Sequence, residues 1–314
     1  MMSDQALELK KSAQPLLASG DLTEGASLLL EAAKLHRSEG STYDEARCLQ
    51  MAATALRSAG SVAESRELAA QAAALSVEDP RLEVSILAEQ AEGAIAQGEF
   101  ESALPLLSNA LALAQEADLS SEAMNALLRR RARVYVELGD LNGFTLDYDN
   151  AYDLLSPDKA GFVRTEQAGI LLEQGLEDEA EAVLSSIPES SDPHLRAEKL
   201  LVGAKIARIN ERFREAAAKA DEARRLALEA VAPLSYFTAS VELAESQGAL
   251  GQFEEAYGAL ARAWATMGDL LGKDIAKSWV EPVLLAFKFA WGDQTFAAAK
   301  QAYEAGRRTA MEIS

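Results

Sequence analysis

The stretch "ALGQFEEAYGALARAW", Ala249–Trp264, sets out a glycine, one residue, an aromatic, two carboxylates and an alanine, with a second alanine seven residues further on. The pattern returns in "AQGEFESALPLLSNAL", Ala96–Leu111, and more loosely in "ASGDLTEGASLLLEAA", Ala18–Ala33. With the glycine as marker, Gly20, Gly60, Gly98, Gly139, Gly175, Gly251 and Gly292 fall into register. Glu211 of "INERFREAAAKA" fills the one gap of double length, and the spacings then run from 36 to 41 residues. A period near 40 residues points to an array of helical repeats.

Other columns agree once the marker is fixed. Seven residues before it stand Ala13, Ala53, Ala91, Ala132, Ala168, Ala204 and Ala244. Twelve after it stand Ala32, Ala72, Ala110, Ala151, Ile187, Ala223 and Ala263. Small residues on two antiparallel helices let their axes approach until ridges fit into grooves. A glycine between them ends the first helix in the left-handed conformation. The eighth unit breaks the pattern: Leu285 replaces the alanine, and Glu281 and Lys288 sit where apolar residues belong.

The glycine–acid–aromatic turn and the small residues on both helices resemble the tetratricopeptide repeat. The resemblance covers roughly residues 4 to 308, and the long period is similar to the longer-unit branch of that family. It implies an all-α, right-handed α-solenoid of about seven to eight helix–turn–helix repeats. The expected organisation is one solenoid over residues 1–314, with residues 273–314 as a divergent C-terminal capping repeat. The rhythm of "EAAKLH", Glu31–His36, and "ARCLQMAATAL", Ala46–Leu56, also resembles the soluble attachment proteins of membrane fusion.

Bulk properties narrow the function. Formal net charge is −20 in 314 residues, which repels nucleic acid and anionic membrane at long range. No apolar run reaches the ~18 residues a membrane helix needs, and the N-terminus "MMSDQALELKK" lacks an apolar signal core. The single cysteine, Cys48, excludes an internal disulfide. A cytoplasmic protein with no nucleic-acid partner and no membrane insertion is therefore expected.

Chemistry is hard to find. His36 and His194, both expected to face solvent, stand far apart in the repeat, and with one cysteine they cannot build a zinc site or a Ser–His–Asp mechanism. Cys48 is expected to be a half-buried, inert thiol. "MGDLLGKDI", Met267–Ile275, has methionine where a phosphate loop needs glycine, and aspartate where it needs serine or threonine. No catalytic residue, metal or cofactor is expected. "SSIPESSDPHL", Ser185–Leu195, reads as a loop in which Ser191 or Asp192 caps the next helix.

The resemblance places the first helix of each unit on the inner surface that usually holds peptides. The exposed stripe of these helices falls 13, 10, 6 and 3 residues before the marker. Seven of its 32 positions are basic and three acidic, so it carries +4 while the rest of the chain carries −24. Arg47, Arg57, Arg129, Arg133, Lys205 and Arg208 are the candidate partner-binding residues of this groove. Within "RRRAR", Arg129 and Arg133 lie one turn apart and suit a carboxylate, whereas Arg130 and Arg131 lie off the stripe. A second candidate is the aromatic stretch "SWVEPVLLAFKFAWGDQTF", Ser278–Phe296, with Trp279, Phe289 and Trp291 as a hydrophobic partner face or as part of the cap.

The expected function is a non-catalytic adaptor or scaffold that binds a protein or peptide segment, acidic in character, in a concave groove. One alternative is a regulatory sensor whose curvature changes when a short peptide or small ligand binds. A second is an assembly factor like the attachment proteins.

Overall fold

The computed structural model describes residues 2–75 and 77–313. Among them the regular structure is entirely helical: sixteen α-helices, with no strand. The chain divides into two compact units, Met1–Ser156 and Pro157–Ser314.

The first unit holds four hairpins: α1 (Met2–Ser19) with α2 (Leu22–Glu39), α3 (Thr42–Ser58) with α4 (Val62–Ala73), α5 (Pro80–Ile95) with α6 (Phe100–Glu116), and α7 (Ser121–Glu137) with α8 (Leu141–Asp153). The second unit holds four more: α9 (Pro157–Glu173) with α10 (Glu177–Ser186), α11 (Pro193–Ile209) with α12 (Phe213–Glu229), α13 (Pro233–Ala249) with α14 (Phe253–Leu271), and α15 (Lys273–Trp291) with α16 (Asp293–Ile313). Within each unit the second helix of one hairpin packs on the first helix of the next, as α2 does on α3 and α12 on α13.

The alanine columns carry this packing. All seven alanines of the first column, Ala13 to Ala244, have no exposed surface. The later column, Ala32 to Ala263, is at most 3% exposed. Each marker glycine has a positive φ, between 72° and 92°. Glu211, at the one marker without glycine, adopts the same left-handed turn with φ 56°, a conformation costly for a residue with a Cβ.

Four first helices, α5, α9, α11 and α13, begin on a proline, whose missing N–H costs nothing in a first turn. Asp192 caps α11, its Oδ1 accepting from the His194 N–H at 2.8 Å. The last hairpin departs from the pattern as its sequence does, with Leu285 60% exposed. No helix among the described residues is long and apolar enough to cross a membrane.

Two expectations are corrected. His36 does not face solvent: it is 6% exposed inside α2, with no hydrogen-bond partner on either ring nitrogen. It lies on the inward face that also carries Ala32 and Ala33. Cys48 is fully rather than half buried, and burial pushes its thiol above the ordinary range, consistent with an inert group.

Candidate functional site

The basic stripe of the first unit meets carboxylates of the neighbouring hairpin. Arg57, at the end of α3, donates from Nε to Glu89 Oε1 of α5 at 2.7 Å and from Nη2 to Glu89 Oε2 at 3.3 Å. Glu89 is almost fully buried and also accepts from Thr54 Oγ1 at 2.7 Å. Glu92, one turn further along α5, lies 3.8 Å from Arg57 and 3.0 Å from Arg130 of α7. One buried carboxylate and one half-buried carboxylate thus tie α3, α5 and α7 together. The bond to Glu89 raises the Arg57 pKa further, against the opposing effect of burial.

Arg131 has a different task. It clasps the buried Asp147 of α8 with two bonds of 2.7 Å, reaches Ser108 of α6 at 3.3 Å, and lies over the Tyr135 ring at 5.7 Å. A bidentate pair of this kind is a structural brace. Although off the stripe, Arg131 is therefore no neutral surface position. Arg47 and Arg133 are exposed on α3 and α7, and Arg129 is half-buried on α7.

The second unit repeats the arrangement. Arg208, at the end of α11, donates to the buried Glu242 of α13 from Nε at 2.7 Å and from Nη2 at 3.3 Å, and its Nη2 forms an ion pair with Glu245 at 2.9 Å. Burial is the largest single effect on Arg208 and would lower its pKa, but the bond to Glu242 together with the charges of Glu242 and Glu245 carries the shift upward. Burial raises Glu245, with Arg208 pulling the other way and Glu242 adding to the rise. Lys205, half-buried one turn before Arg208, also lowers Glu245.

Here a residue of the basic stripe and the aromatic stretch meet. Arg208, Glu245, Gly248, Phe213, Phe287 and Trp291 line one cleft of about 390 Å³, with Ala286 and Ala290 on its α15 wall. The stripe position three before the marker carries Leu17, Arg57, Ile95, Val136, Leu172 and Arg208 in earlier hairpins, but Gly248 in this one. The Trp291 indole occupies the vacated space: a Cβ on Gly248 would stand 3.2 Å from its Nε1. Ring centroids of Phe253 and Phe287 each lie 5.1 Å from that of Trp291.

The three candidate aromatics therefore separate. Trp291 is half-buried in the packing of α13, α14 and α15 and forms a cleft wall. Trp279 packs with Phe237, centroids 5.8 Å apart, in the apolar cluster that holds Met267 and Ala276. Phe289 is 93% exposed.

Sequence reasoning picked out Arg57 and Arg208 but missed Glu89 and Glu242, the carboxylates that hold them, and it set Arg131 aside, which Asp147 holds. A signal was present: an arginine three before one marker is followed, nine before the next, by a glutamate in both units. Among the described residues no cluster of three or more histidine, cysteine or acidic side chains could hold a metal ion.

No family model and no curated protein matches the chain. Solved structures do. The apo form of the quorum sensor NprR from B. thuringiensis is 14% identical at a TM-score of 0.54, over 95% of this chain and 86% of that one. A tetratricopeptide repeat protein from Parabacteroides merdae is 20% identical at 0.54, over 90% and 99%. A signal-transduction ATPase with a tetratricopeptide repeat sensor, from Pyrococcus horikoshii, is 13% identical at 0.53, over 98% of this chain and 47% of the ATPase. The chain has the all-α tetratricopeptide-type repeat fold.

Proposed function

We propose that the chain is a non-catalytic interaction scaffold that holds a peptide or protein segment on the inner stripe of its first helices. The supporting observation is the meeting of Arg208 and Trp291 in one cleft, where a charged clamp adjoins an aromatic wall. Clefts of this size, mostly apolar with a few convergent polar groups, are the usual form of a binding site. In the first unit, Arg47, Arg129 and Arg133 are the proposed contacts for acidic side chains of the same kind of segment. Arg57 and Arg208 contribute through their braces, and Lys205 through its charge. The reading calls on no metal or cofactor.

Site-specific photo-crosslinking tests it. A photo-reactive residue replaces Arg47 or Ala286 on first helices, or Glu31 or Arg225 on exposed faces of second helices, and adducts are identified from native lysate. Adducts formed from the first-helix positions alone are expected. Adducts confined to second-helix positions would place the working surface elsewhere and end the proposal.

A regulatory sensor is the second reading. The cleft is large enough for a small ligand or a few residues of peptide, and two proteins of similar fold are described as a quorum sensor and as bearing a sensor module. A thermal shift with one pure metabolite or short peptide, without a protein partner, would favour it.

A further inference from the structure

We propose that the exposed face of α15 is a self-association surface, on which a second copy of this chain packs its own α15 antiparallel about a two-fold axis. Phe289 is 93% exposed, Leu285 60% and Ile275 48%, on a helix that also leaves Pro282 and Ala286 exposed. At about 100° per residue these five side chains fall on one face. Contiguous exposed apolar surface of this kind marks an interaction site.

Charge favours a second copy as the occupant. Most of the chain would repel another copy, since net charge is −20. Residues 273–314 are the exception: six basic and five acidic residues give +1, leaving −21 on the rest. Two copies can approach through this end without the repulsion that opposes contact elsewhere.

Charge placement also fixes the orientation. Glu281 and Lys288 are seven residues apart, two turns or about 10 Å along the helix. Both line, with Leu285, the same cleft of about 370 Å³ between α14, α15 and α16, so they share one flank of the apolar face. In an antiparallel pair equal flanks face each other. An axis between Leu284 and Leu285 then sets Glu281 of each copy against Lys288 of the other, twice by symmetry, with Phe289 reaching the Glu281–Leu285 turn. A two-fold contact must be self-complementary in this way. A parallel pair would set this flank of one helix against the opposite flank of the other, so Glu281 and Lys288 would find no such partners. Lys288 now lies 3.1 Å from the exposed Asp293, an ion pair weak enough to exchange.

Sedimentation velocity of the full chain from about 1 to 100 µM tests the proposal. The expected result is growth from the 33.6 kDa chain to twice that mass. Phe289→Asp should abolish the dimer. Glu281→Lys and Lys288→Glu, each alone, should weaken it by about tenfold or more, because two symmetry-related pairs become repulsive at once. The double swap should restore it. All three positions are exposed, and dichroism melts confirm that each variant is folded. A monomer at every concentration overturns the proposal. So does a dimer that survives Phe289→Asp, or a double swap no better than either single change.

Discussion

Arg57 at the end of α3 holds the buried Glu89 of α5 at 2.7 Å, joining two consecutive hairpins. Arg208 holds Glu242 at the same distance and at the same repeat coordinates in the second unit. Leu17 and Met51 occupy those two coordinates earlier in the first unit and share an apolar cluster. Apolar pairs and ionic pairs thus serve the same junction. The ionic version has a sharper failure mode, because removal of one partner leaves a buried charge.

Arg57→Leu alone should therefore cost about 1.5–3 kcal/mol, the range for hydrogen bonds to charged groups. The double change Arg57→Leu with Glu89→Met should recover most of that loss, since an apolar pair of similar volume replaces a buried ion pair at little net cost. Urea melts of the two single variants and the double variant form the cycle. A double variant as unstable as the sum of the singles would show that the charges are not coupled.

Ala132→Trp should be badly destabilising. Ala132 has no exposed surface where α7 meets its neighbours, and overpacking costs ~1–3 kcal/mol or more. Urea melts decide this; tolerance would mean that the repeat register is misplaced.

Glu211→Gly should stabilise the chain. Glu211 is held at φ 56° in a turn where every other marker is a glycine, and the left-handed conformation costs a side-chain-bearing residue roughly 1–2 kcal/mol. Part of the gain is offset by the greater freedom of glycine in the unfolded chain, so a net gain of about 0.5–1 kcal/mol is expected. An unchanged or lower urea midpoint would refute it.

The fold was legible because it is written redundantly: each hairpin repeats the same small residues at the same offsets, so one weak column is corrected by another. Ala13 to Ala244 are buried as that logic requires. The site was less legible because its side chains occur singly. Whether an arginine on the stripe is spent on the protein depends on a residue some 32 to 34 positions away, as for Arg57 with Glu89 and Arg208 with Glu242. The cleft depends on a missing side chain, Gly248, and on the bulk of Trp291 from another hairpin. Neither is a motif. Trp279 and Trp291 read from composition as a partner face or as part of the cap, because exposure is fixed by neighbours that the linear pattern does not display.

Glu245→Gln should raise stability at neutral pH and lose that advantage in acid. Burial lifts the Glu245 carboxyl above its ordinary value, so the folded chain binds that proton more tightly than the unfolded chain. Its contribution favours the fold below the unfolded value, about 4.3, and is lost as pH rises through the folded value. At pH 7 the charged Glu245 therefore works against folding, and an uncharged glutamine removes the penalty. The ion pair with Arg208 at 2.9 Å is also lost, but Glu245 keeps 40% of its side chain in solvent, where screening leaves such a pair little value. Urea melts from pH 7 down to pH 5, above the sequence pI of about 4.6, should show the variant ahead at pH 7 with the gap narrowing on acidification. A variant that is less stable at pH 7, by an amount that shrinks in high salt, would show that the Arg208 contact outweighs desolvation and that Glu245 is a stabilising member of the clamp.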